Sequence, residues 1–206
     1  MAAVGFIGAG NMGYAIIKGI RCTEQGRELS LFSYDLSREA LDRLSEFGVS
    51  PCADEKELVK KSDYVFLAVK PQQLDTVMDR IGGAVTADKI IVSICAGITA
   101  EYICSKTLPD AKVVLVMPNT PLLLGEGASA ISRNKNVSDN EFGFVKNIFA
   151  SCGKTAVVPE NKMKEIIAVN GSSPAFIYLF AKAFIDYADS AGIDAAAAKK
   201  LFAQSL

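Results

Sequence analysis

Histidine is missing altogether from this chain. Ser-His-Asp and Cys-His nucleophilic machinery, histidine-ligated metals and the histidine acid of many dehydrogenases are thereby excluded. Cysteine is sparse and unpaired. Cys22, Cys52, Cys95, Cys104 and Cys152 are odd in number and contain no C-x-x-C spacing, which argues against a disulfide framework and a zinc site and fits reduced thiols in a cytoplasmic protein. Charge never gathers: 22 basic and 23 acidic residues are dispersed to a net −1, so neither nucleic acid nor an anionic membrane is an expected partner. No apolar run is long enough to span a bilayer. The apolar beginning lacks a basic flank and a cleavage site, and reads as structure and not as a signal peptide. What is present is a chain of 206 residues, enough for one ordinary domain or one and a part with a sizeable core.

The organising stretch comes at once. Ala2 to Ile7 is a short apolar run ending in glycine, a buried strand, and Met12 to Ile20 carries helical apolar spacing. Between them Gly8-Ala9-Gly10-Asn11-Met12-Gly13 forms G-x-G-x-x-G. Each glycine has its own reason: Gly8 for the tight turn, Gly10 for close approach of backbone to a pyrophosphate, Gly13 for packing of helix on strand. A glycine-rich turn without a ligand is the bland alternative. The strand before and the helix after satisfy the context a dinucleotide site requires, with phosphates at the helix N-terminus.

Further strands are expected at 29–34, 63–69, 90–95, 112–117 and 154–158, alternating with helices, which calls for a mostly parallel sheet covered on both faces. Asp35 ends the second strand 22 residues beyond Gly13. It either accepts the adenosine ribose hydroxyls or merely starts the next turn; a 2′-phosphate there would meet like charge unless Arg38, Ser33 or Ser37 compensates. Ser37 caps a helix expected to run through Phe47, and Asp54 with Glu57 resembles a capping box. Lys70 stands at the carboxyl end of a strand, before a helix opened by Pro71, as a ligand group or a solvated lysine. Ala96-Gly97 offers small residues at the same edge. Pro118-Asn119-Thr120-Pro121 is a stiff polar loop there, followed by Gly125 to Ala128. Ser138 and Glu141 form a second capping box.

From Pro159 the pattern is helical only. A helix over 160–169 should break at Gly171-Ser172-Ser173, an anion site or an ordinary hinge, before Pro174 opens a longer apolar helix. A last helix begins at Asp194 and the sequence stops without a glycine cap or polar tail, so a truncated chain is expected. Segments this apolar must pack on the sheet domain, on another chain or on residues absent from the sequence.

Together these segments resemble the pyrroline-5-carboxylate reductases. The likeness covers essentially the whole chain, through 6–13, Phe66-Leu-Ala-Val-Lys-Pro-Gln72, 93–99, Val116-Met-Pro-Asn-Thr-Pro121 with Gly125-Glu-Gly-Ala128, and Gly171-Ser-Ser-Pro-Ala175. It implies a Rossmann-type doubly wound α/β domain over 1–158 and a small, incomplete, all-helical substrate and dimerisation domain over 159–206. The implied reaction is reduction of the C=N bond of 1-pyrroline-5-carboxylate to L-proline with NADPH or NADH, in a homodimer or higher homo-oligomer. By resemblance, Gly8, Ala9, Gly10, Asn11 and Met12 hold the pyrophosphate. Ser33 and Asp35 face the ribose, and Ala68, Val69, Lys70 and Pro71 with Ala96 the nicotinamide. Asn119, Glu160, Gly171, Ser172 and Ser173 border the substrate. No catalytic residue is named and no metal is expected. The chain departs from the family pattern at Leu115, where arginine is common, at Ser173, and at Asp54-Glu55, where an asparagine is frequent. The family's later Ser-Pro-Gly-Gly segment is not in the sequence, so the 206-residue form is expected to bind dinucleotide and turn over poorly. Two other readings stand beside this one. A β-hydroxyacid-dehydrogenase-like enzyme needs a lysine early in the second domain's helix, and Pro174 to Phe180 has none; a nucleotide-binding protein or fragment without turnover needs only the glycine loop.

Overall fold

The computed structural model describes residues 2–205. Its centre is one eight-stranded sheet in the order β3-β2-β1-β4-β5-β6-β7-β8, comprising β1 (Ala3–Ile7), β2 (Ser30–Tyr34), β3 (Ser50–Pro51), β4 (Tyr64–Leu67), β5 (Ile90–Ser93), β6 (Lys112–Met117), β7 (Gly127–Arg133) and β8 (Gly153–Val157). β1 to β6 are parallel, β7 is antiparallel to β6, and β8 follows β7. All four residues of β4 and of β5 are buried. Such unbroken apolar runs are what a parallel sheet needs when helices cover both faces.

Alternation along the strands divides the core in two. Phe6, Phe66, Val92 and Val114 pack on one face with α1 (Asn11–Arg21), which the short α2 (Glu24–Arg27) follows, and with α7 (Asp139–Ala150). Ile7, Leu67, Ile91 and Val113 pack with α4 (Glu55–Lys61), α5 (Pro71–Ile81) and α6 (Ala100–Lys106) on the other. The fold is therefore doubly wound. Phe6 and Phe66 stack at 4.6 Å between ring centroids with Phe149 alongside, and each fully buried ring contributes roughly 1.5–3 kcal/mol.

Four local expectations need correction. The helix from Ser37 is α3 (Arg38–Asp42), and a separate 3₁₀ turn covers Ser45–Phe47 before Gly48 at φ +61°. Ser45 Oγ donates to Asp42 O at 2.6 Å, a local bond that competes with helix continuation. The two-residue β3 went unforeseen. So did β7, because Gly127-Ala-Ser-Ala-Ile-Ser-Arg133 is poor in strand formers; pairing with β6 and β8 on either side makes it a strand. Lastly, Gly171-Ser172-Ser173 does not break a helix. A 3₁₀ turn at Glu160–Lys162 is followed by a π turn, Ile167–Gly171, which runs into α8 (Ser173–Ser190). Ser172 N donates to Ile167 O at 2.8 Å, taking one extra residue into the turn.

α8 and α9 (Ala195–Ser205) stand clear of the sheet. Among their described residues only Pro174 and Ala188 are buried, while Phe176, Ile177, Leu179, Phe180, Tyr187 and Leu201 are exposed. Phe180, Phe184 and Phe202 form an aromatic cluster between the two helices.

Candidate active site

The carboxyl ends of β1, β2, β4, β5 and β6 face the same edge, and the strand order reverses between β1 and β4, where open α/β sheets hold ligands. At that switch point Gly8 adopts φ +106°, and its amide donates to Tyr34 O at 2.9 Å. A Cβ on Gly8 would lie 2.5 Å from Ala68 O, and one on Gly13 would lie 2.5 Å from Gly8 O. The loop is thus compressed between the β4 turn and α1. Gly10 differs: nothing lies within 4 Å of its Cβ position. It caps α1 without a side-chain bond, leaving the first amides of Asn11 and Met12 for an incoming anion. That open approach is where a pyrophosphate fits.

Asp35 is half-buried beside the loop. Its Oδ2 accepts from Ala9 N at 2.7 Å and its Oδ1 from Ser37 N at 2.8 Å, so the carboxylate both starts the turn before α3 and braces the glycine loop. Gly8, Asp35 and Val69 line one cleft of about 320 Å³. Ser33 is not part of it. Its side chain is buried within the sheet and donates to Phe6 O at 3.2 Å, because strand alternation turns it away from the edge. Glu55, the departure expected to bring negative charge near the ribose, lines the cleft, whereas Tyr34, Gln73, Thr76 and Arg80 in its wall were not foreseen. Gln73, Thr76 and Arg80 share the polar stripe of α5, a helical spacing visible in the sequence. The pairing of Arg80 with Glu55 across two helices, at 2.7 Å, is not.

Val69 leads to the second half of the site. The Cys95 thiol lies 3.3 Å from Val69 O as donor, joining the turn after β5 to that after β4; burial pushes this thiol up to about 11. Cys95 also lines an adjoining cavity of about 180 Å³ with Thr99, Met117 and Glu160. Glu160 Oε1 accepts from Ala100 N at 2.9 Å, and Thr99 Oγ1 from Tyr102 N at 3.1 Å, so both cap α6. Asn119 is buried, with Oδ1 accepting from Ala128 N at 2.8 Å. Asn170, unforeseen in the sequence, donates through Nδ2 to Met117 O at 2.8 Å and Ala128 O at 3.0 Å. The π turn is clamped by these bonds to the ends of β6 and β7. A Cβ on Gly171 would lie 3.6 Å from Met117 Sδ, which puts Gly171 beside the end of β6, with Ser172 and Ser173 following it in the chain. The Ser172 amide is spent on Ile167 O, so the loop offers an anion fewer donors than an open helix N-terminus. Lys70, Pro71 and Ala96 are exposed at the rim. The first turns of α8, Pro174 to Phe180, carry no lysine, and the first lysine of the helix, Lys182, is paired with Asp186 on its exposed face. No cluster of metal-binding side chains occurs among the described residues, and none of their helices is long and apolar enough to cross a membrane.

Comparison with known proteins agrees with this geometry. Residues 3–97 match the family model of the NADP oxidoreductase, coenzyme F420-dependent, domain, and residues 160–206 match that for pyrroline-5-carboxylate reductase dimerisation. Pyrroline-5-carboxylate reductase of Escherichia coli (strain K12) is 33% identical over 204 residues, covering 98% of this chain and 76% of its own. Pyrroline-5-carboxylate reductase 3 of Danio rerio is 34% identical, with 98% and 70% covered. Among solved structures, Plasmodium falciparum pyrroline carboxylate reductase with NADP bound superposes with a TM-score of 0.88 at 31% identity, covering 99% of this chain and 75% of that one. A Streptomyces aurantiacus imine reductase shares the fold, with a TM-score of 0.71 at 17% identity and 98% and 72% covered. With a third of its residues shared along nearly its whole length, a cofactor edge of the right construction and the dimerisation segment in place, the chain belongs to the pyrroline-5-carboxylate reductase family.

Proposed function

We propose that the chain reduces the C=N bond of 1-pyrroline-5-carboxylate to L-proline, the last step of proline biosynthesis, at the edge between the glycine loop and the π turn. The observation carrying this is that Val69, in the wall of the dinucleotide cleft, is hydrogen-bonded to Cys95, in the wall of the cavity of Glu160 and Met117, so the two sites are neighbours on one sheet edge. When bound, a reduced nicotinamide supplies the hydride for the imine carbon; the nitrogen carries the proton on entering as an iminium. The protein's contribution is alignment and exclusion of water. Gly8 to Met12 would hold the pyrophosphate, Asp35 the ribose, and Ala68 to Pro71 with Ala96 the nicotinamide side. Asn119, Glu160 and Gly171 to Ser173 would border the substrate, whose carboxylate suits the serine hydroxyls of that turn. The absence of histidine fits a reaction that needs no imidazole acid. We assign 1–158 to cofactor binding and 159–206 to substrate and dimer contacts. The exposed apolar faces of α8 and α9 and the match to the dimerisation model support a homo-oligomer, and five free thiols suit the reducing cytoplasm. The test is pyrroline-5-carboxylate-dependent oxidation of NADH and NADPH by the full-length protein, with L-proline identified as product; a full-length protein that binds dinucleotide yet yields no proline with either would overturn the reading.

A further inference from the structure

The cleft wall beside Asp35 says which nicotinamide dinucleotide it accepts. A 2′-phosphate needs a cation or uncommitted donors at the end of β2. Four side chains there are of the right type. Arg38 lies against Asp42 on the outer surface of α3, Nε to Oδ1 at 3.0 Å. Ser37 Oγ accepts from Ala40 N at 3.2 Å as the cap of α3. Ser33 is sealed within the sheet on Phe6 O. Arg80 does line the cleft, but its guanidinium is bound to Glu55, which is buried in the same wall. The Ser37 hydroxyl keeps its proton to donate and Arg38 is exposed, but the side chain that touches the glycine loop is the Asp35 carboxylate, held in place by two backbone amides and able to accept further hydrogen bonds from ribose hydroxyls. Tyr34 registers the acidity of the wall: burial first, then Glu55, Asp54 and Asp35 raise its pKa, with Arg80 alone opposing.

Resting on the reductase reading for the identity of the cofactor site, we propose that this chain selects NADH over NADPH, with Asp35 as the discriminating residue and the Glu55–Arg80 pair as the lock that holds back the arginine lining the cleft. A ribose donates its 2′ and 3′ hydroxyls to the carboxylate. A 2′-phosphate instead brings about two negative charges against Asp35, and at the screened distances of a cleft mouth that repulsion weakens NADPH by about tenfold or more. The preference would set this chain apart from the Plasmodium relative, whose structure holds NADP.

The experiment is equilibrium binding of NADH and NADPH to the purified protein by nicotinamide fluorescence, with 5′-AMP and adenosine 2′,5′-bisphosphate as competitors, so that no substrate or turnover enters. NADH is expected to bind at least about tenfold tighter, and 5′-AMP to compete better than the bisphosphate. Asp35→Ser should move the NADH-to-NADPH ratio toward NADPH by about tenfold, whatever it does to both affinities through Ala9. Glu55→Gln should release Arg80 and raise NADPH affinity relative to NADH, a gain that Arg80→Met on the same background should remove. A wild-type protein binding NADPH as tightly as NADH, or an Asp35→Ser ratio equal to the wild type's, overturns the proposal while leaving the reductase reading intact. Failure to bind either dinucleotide overturns both.

Discussion

Three glycines of one loop should respond differently to the same added methyl group. At Gly8 an alanine side chain meets Ala68 O at 2.5 Å on a backbone at φ +106°. Strain of this kind is worth about 1–3 kcal/mol, and the β4 turn must also give way. A total of about 3 kcal/mol corresponds to a fall in Tm of about 6–12 °C for a domain of this size. At Gly13 the conformation is helical, yet the new carbon lies 2.5 Å from Gly8 O, an overpacking worth about 1–3 kcal/mol. At Gly10 the site is open. The weaker helix cap and the stiffer unfolded chain nearly cancel there, leaving stability within about 1 kcal/mol of wild type. Dinucleotide affinity should nevertheless fall by about tenfold or more, because the methyl group stands where the pyrophosphate approaches the backbone. Thermal unfolding and NADH fluorescence, run on the three variants in parallel, separate the effects. Wild-type affinity in Gly10→Ala, or wild-type stability in Gly8→Ala, would refute this reading of the loop.

Asn170→Ala removes the bonds to Met117 O and Ala128 O and should destabilise by about 2 kcal/mol. Dinucleotide affinity should be kept and kcat/KM for the imine should fall, as steady-state kinetics would show. The Cys95 thiol predicts a pH effect. Burial raises its pKa from 9.0 to about 11 in the fold, so the unfolded chain loses this proton first. Its contribution, on the order of 2 kcal/mol, is whole below about pH 9 and disappears as pH climbs toward 11. Denaturant titrations across that range should show an alkaline loss in wild type that is smaller in Cys95→Ala. Exposed Cys22 should react with a thiol reagent in the native state, while buried Cys95 and Cys152 stay protected until unfolding.

The sheet's frame was legible because its evidence is local. Apolar runs such as Tyr64–Leu67, the helix opened by Pro71, and the caps at Ser37 and Ser138 each carry their own physics within a few residues. Where structure depends on distant partners, reading the residues failed. β7 exists through strands on both sides, and the π turn is held by Asn170 reaching strand ends 53 and 42 residues away. The site divides the same way. The glycine loop and Asp35 follow from a motif and an offset, whereas Ser33 lay on the wrong side of an alternating strand and the Glu55–Arg80 lock joins helices 25 residues apart. One serine of the substrate turn has its amide already taken, because the chain continues helically where a break was expected.

On the proposed reading, one sheet edge holds a reduced nicotinamide on the glycine loop against an imine carbon beside the π turn. Turnover of 1-pyrroline-5-carboxylate with nicotinamide deuterated at its transferable position tests it most directly, read by mass spectrometry of the product. L-proline carrying the deuterium on the former imine carbon is the expected product. Unlabelled proline, or a protein that binds the dinucleotide and forms no proline, would contradict it.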